Sequence, residues 1–108
     1  MEKGIVDYIN SHSGEYEIAF NGFDSAKDLL RIKKYIEAIL KPDQLEFHGS
    51  IFDEMNGFFV KENLKVIFHY DPSLGNDFRF SGELTEENKN RIRSWAQTIF
   101  HLLQKEEK

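Results

Sequence analysis

The hydrophobic period of this chain changes several times, and each change predicts an element. Ile5, Tyr8, Ile9 and His12 fall at i, i+3, i+4 and i+7, the spacing of one helix face. This predicts a short helix over about 3–13, ended by Gly14 in a left-handed conformation. Tyr16, Ile18 and Phe20 then alternate with Glu15, Glu17 and Ala19 as in a half-buried strand, and Asn21-Gly22 marks a turn. A second helical stripe follows in Leu29, Ile32, Ile36, Ile39 and Leu40. Asp24 or Ser25 can cap it, with Asp28 three residues after Ser25 in a box-like arrangement, and Pro42 ends the ladder, so this helix covers about 25–41.

From Gln44 to Glu83 the period is 2. Asn56-Gly57 reads as a two-residue hairpin turn, because a type I′ turn needs positive φ at both central residues. Lys61-Glu62-Asn63 is a polar break, and Asp71-Pro72-Ser73 with Gly75-Asn76 forms a longer loop. The simplest joining of these runs is an antiparallel meander over 44–83. Thr85 then caps a helix over about 85–105. Glu86 and Glu87 complement the positive end of its dipole, and Ile92, Trp95, Ala96, Ile99, Leu102 and Leu103 share a face.

The pattern predicts one α+β domain, residues 1–108, with a mainly antiparallel sheet of four or five strands. Three helices would pack mostly on one sheet face. A parallel sheet is disfavoured because 44–83 holds no crossover helix. Parity along the meander directs Leu45, Phe47, Ile51, Phe58, Val60, Val66, Phe68, Tyr70, Phe78 and Phe80 toward the helices. The opposite phase holds Glu46, His48, Ser50, Lys61, Lys65, His69, Asp77, Arg79 and Ser81, a composition suited to a wet sheet face. Phe52, Phe59 and Ile67 share that phase. As large apolar residues inside a polar rim, they form a candidate contact patch, unless a bulge or a one-residue slip turns them inward.

Composition narrows the function classes. The 108 residues are 40% hydrophobic and 31% charged, a globular profile. There is no cysteine, which removes disulfides, thiolate metal sites and cysteine nucleophiles, and suits a reducing, cytoplasmic setting. No apolar run is long enough for a transmembrane helix, and acidic residues interrupt any amino-terminal signal region. The net charge is −5, with 6 basic against 11 acidic residues in 1–54 and 8 of each in 55–108. Nucleic-acid binding needs a basic stripe, which this chain lacks. The acidity suits a basic protein partner, although solubility alone accounts for it equally well.

Catalytic motifs are absent from the sequence: there is no nucleophile elbow and no phosphate loop. His48 and His69 lie on the polar phase of the meander, where Glu46 or Asp77 would complete a metal site if the strands were neighbours. No ligand spacing along the chain supports such a site, so two solvated histidines are the favoured reading and no metal or cofactor is expected. The leading functional expectation is a non-catalytic protein-binding module, of the kind seen in immunity or antitoxin-type inhibitors of basic enzymes. Glu15, Glu17, Asp43, Glu46, Asp53 and Glu54 are its candidate acidic contacts, with Phe52, Phe59 and Ile67 as apolar contacts. Two alternatives stand beside it. One is a homodimer binding a small ligand near His48, His69 and Arg79; the other is a small hydrolase using a histidine with a carboxylate.

Overall fold

The computed structural model describes residues 4–49 and 54–107. Six strands form one antiparallel sheet: β1 (Gly4–Ile9), β2 (Tyr16–Asn21), β3 (Gln44–His48), β4 (Met55–Lys61), β5 (Leu64–Asp71) and β6 (Gly75–Phe80). Their order is β1-β2-β6-β5-β4-β3. The meander over 44–83 is present, and the strand at 15–20 joins it by pairing β2 with β6. Two helices follow the expected boundaries. The first, α1 (Ala26–Tyr35), continues into a π-helical turn at Ile36–Leu40; the second, α2, spans Glu86–Glu106.

The α+β class therefore holds, with six strands in place of four or five and two helices in place of three among the described residues. The expected helix over about 3–13 is instead β1, paired along its length with β2 from Gly4↔Asn21 to Ile9↔Tyr16. Ile5, Val6 and Ile9 are β-branched and favour a strand, and the 3.6-residue spacing of Ile5, Tyr8 and Ile9 is too short a run to override pairing with β2. Gly14, at φ +77°, closes the β1–β2 hairpin and ends no helix. In that turn the Asn10 carboxamide oxygen accepts from the backbone N–H of His12 (2.9 Å) and Ser13 (3.1 Å).

Asn56 and Gly57 also depart from the sequence pattern: both lie inside β4, opposite His48 and Phe47 of β3. The left-handed pair is Glu62 (φ 52°) and Asn63 (φ 66°), which join β4 to β5 where Lys61 pairs with Leu64. Gly57 is needed for a different reason, since a Cβ there would run into the backbone carbonyl oxygen of Glu46 and lie 2.6 Å from Phe68 Cζ.

This register reverses the expected phase of β4. Phe59 is fully buried opposite Val66, whereas Phe58 and Val60 are half-buried on the other face, opposite Ile67 and Lys65. Phe59 packs edge-on against Phe78 (5.6 Å) and Trp95 (6.0 Å), so it links the sheet to α2. Phe23 meets Phe100 of α2 at 5.3 Å, and Phe20 meets Phe78 at 5.0 Å. Leu29, Ile32 and Ile36 complete the same cluster, so both helices cover one sheet face. Burying each such side chain contributes about 2 kcal/mol.

Caps fix where the helices begin. Ser25 Oγ accepts from Asp28 N–H (3.1 Å) while the Asp28 carboxylate accepts from Ser25 N–H (3.2 Å). Thr85 Oγ1 accepts from Asn88 N–H (3.1 Å). Arg31 ties the two helices together through the Glu106 carboxylate (2.7 Å) and the Leu103 carbonyl (3.3 Å). No helix among the described residues is long and apolar enough to cross a membrane.

Candidate functional site: the helix-free sheet face

Because α1 and α2 pack on the same side, the opposite face of the sheet carries no helix among the described residues. The register lines up its side chains in two rows that cross all six strands. The first row runs Tyr8, Glu17, Arg79, Ile67, Phe58, Glu46. The second runs Val6, Ala19, Asp77, His69, Asn56, His48. Directly opposed residues in a ladder lie within side-chain reach, so each row is a chain of neighbours.

The middle of the face is ionic and tightly held. Arg79 donates to both carboxylate oxygens of Asp77, at 3.0 and 3.2 Å. Glu17 is buried, and its two oxygens accept from Tyr8 OH (2.9 Å) and the Asn10 amide (3.0 Å). Burial and the Glu17 carboxylate push the Tyr8 phenol up to about 12. His69 is 7% exposed. Its Nδ1 lies 3.9 Å from Asp77 and its Nε2 lies 3.5 Å from Glu54. The Asp77 carboxylate is the main influence raising the His69 pKa above the ordinary imidazole value, against the effect of burial.

Toward β3 the face becomes apolar and more open. Phe58 and Ile67 sit side by side, half-buried, and the Lys65 ammonium stands 4.2 Å over the Phe58 ring. A depression of about 410 Å³ is lined there by Glu15, His48, Asn56, Phe58, Lys65, Ile67, His69 and Arg79. A neighbouring depression of about 440 Å³ shares Lys65 and Ile67 and reaches Glu83 and Asn88. His48 is exposed at the rim, 3.7 Å from Glu46.

The structure thus brings together Glu15, Glu17, Glu46, Glu54, Ile67, His48, His69 and Arg79 on or beside one face. Two expected contacts do not belong there. Phe59 is 0% exposed, in the core, because the β4 register points it at the helices. Asp43 is exposed ahead of β3 and belongs to neither row; its N–H donates to the Val60 carbonyl (2.8 Å). Phe52, Asp53, Ser50 and Ile51 lie outside the described residues.

Sequence reasoning missed Phe58, Asn56, Tyr8 and Asn10 as residues of this face. The alternation of Val6 and Tyr8 against Ile5, Asp7 and Ile9 was the available signal for the last two. Among the described residues no group of three His, Asp or Glu converges as metal ligands. No protein-family model, no curated protein and no solved structure matches this chain significantly.

Proposed function

We propose that this chain is a non-catalytic protein-binding module that docks a basic protein on its helix-free sheet face, as an inhibitor of the immunity or antitoxin type would. The observation that carries this reading is the row from Tyr8 to Glu46. An apolar pair, Phe58 and Ile67, is flanked along it by the Glu46 carboxylate on one side and by Arg79, then Glu17, on the other. A small apolar centre inside a charged rim is the anatomy of a protein interface. Arg79 is already engaged by Asp77, while Glu15 lines the depression and Glu46 is exposed opposite Phe58, so these carboxylates are placed to attract a cationic partner. Held side chains at the centre, such as Arg79 and Glu17, lose little further freedom on binding.

A second reading is favoured by the depression itself. His48, His69 and Arg79 line it together with the Phe58 ring, which suits a small ligand with a polar end and an apolar body.

The protein-binding reading is tested by affinity capture with the wild type and with Phe58→Glu and Glu46→Lys. The expected result is a one-to-one complex with a basic protein, lost with Phe58→Glu and weakened with Glu46→Lys. A complex that tolerates both substitutions would place the docking surface elsewhere.

A further inference from the structure

The sheet is open, and its two edges differ in chemistry. The β3 edge presents Gln44, Glu46 and His48, follows Pro42 in sequence and is polar along one face. Charged and proline-flanked edges resist pairing. The β1 edge carries exposed apolar side chains on both faces, interrupted by Asp7 on the helix side. Val6 (48%) and Tyr8 (45%) stand exposed on the helix-free side, and Ile9 (53%) on the helix side. Of the seven large apolar side chains exposed among the described residues, these are three, and they fall on one six-residue strand.

We propose that β1 pairs antiparallel with β1 of a second copy of this chain, joining two six-stranded sheets across a twofold axis. This does not rest on the function proposed above. The argument is the self-complementarity of the strand. If the helix-free faces of both copies lie on the same side, opposed residues have equal parity along β1. Centring the axis on Asp7 sets Ile5 opposite Ile9 of the second copy and Val6 opposite its Tyr8, each match occurring twice. Centring on Val6 sets Ile5 against Asp7, and centring on Tyr8 sets Ile9 against Asp7. Only the Asp7-centred register gives every apolar side chain an apolar partner.

The cost of that register is Asp7 facing Asp7 on the axis. Each is already compensated within its own chain: Asp7 accepts from Tyr16 OH at 2.9 Å and lies 4.0 Å from the Arg93 guanidinium. Self-pairing closes the assembly, because the apolar edges cover each other and only the polar β3 edges remain outside.

The test is sedimentation velocity of the full chain over a concentration series, with thermal melts as the control for folding. The wild type is expected to show a reversible monomer–dimer equilibrium. Asp7→Asn removes the opposed charges and should tighten the dimer several-fold. Ile9→Asp sets further carboxylates beside the Asp7 pair and should give a monomer at every concentration, and Val6→Glu should do the same from the other face. Phe58→Glu, far from β1, should leave the dimer intact. A dimer seen only in Asp7→Asn would still support the register. The proposal falls if wild type and Asp7→Asn are both monomeric throughout, or if Phe58→Glu abolishes a dimer that Ile9→Asp and Val6→Glu leave standing.

Discussion

Phe58 and Phe59 are adjacent and chemically identical, yet the register gives them opposite environments. Phe59 is fully buried against Phe78 and Trp95, while Phe58 lies on the helix-free face beneath the Lys65 ammonium. Phe59→Ala should therefore cost roughly 3–5 kcal/mol of stability, and Phe58→Ala less than about 1.5 kcal/mol, as read by urea denaturation. Equal costs would mean that the phase of β4 is wrong. His69 makes a pH-dependent contribution of its own. Its pKa in the folded state is raised, chiefly by Asp77, so folding favours the protonated imidazole. The resulting stabilisation is fully present below the unfolded value of about 6.5. It fades as the pH rises through the higher folded value. Replacing His69 by Gln should remove this slope, so the stability difference between wild type and variant should be constant below about pH 6 and change as the pH rises above the ordinary imidazole value of about 6.5. Parallel stability curves across that range would show that the Asp77 and Glu54 carboxylates do not act on the imidazole.

At the scale of elements, the β4–β5 hairpin carries the clearest conflict between local preference and fold. Glu62 and Asn63 both adopt positive φ, and the left-handed region costs an ordinary side chain about 1 kcal/mol. The double substitution Glu62→Asn with Asn63→Gly supplies the residues that a type I′ turn favours and should stabilise the chain by about 1 kcal/mol, measured as a shift in the denaturation midpoint. Loss of stability would argue against this turn geometry. The same hairpin explains why the sequence pattern misled for β4. An Asn-Gly pair stood six residues upstream and carried the stronger turn signal, but Gly57 is used where the backbone of β3 at Glu46 comes too close for any Cβ. The helices were far more legible. Ser25 with Asp28, and Thr85, form the caps read from the sequence, and the expected stripes face the core except at Ile39, which is exposed in the π-helical turn. The β1 segment was ambiguous because its apolar residues satisfy a helical spacing and a strand alternation at once.

For the molecule as a whole, the sheet order decides what the charged residues can do. Residues from four different strands, Glu17, Arg79, Ile67 and Phe58, become consecutive neighbours in a single row only because β2 pairs with β6, β6 with β5 and β5 with β4. By itself the sequence determined the α+β class, the meander, the caps and spans of both helices, and the acidic balance of the first half. Each of these depends on short-range spacing or composition, which a strong amphipathic stripe or a capping residue specifies locally. Only the tertiary structure decided that the first segment is a strand, that Phe59 and not Phe58 enters the core, and that Glu17, His69 and Asp77 lie buried in an ionic network. The physical reason is that strand pairing is non-local: a one-residue choice of register, set by a two-residue turn and by the packing of aromatic rings against the helices, moves every side chain of a strand from one face to the other.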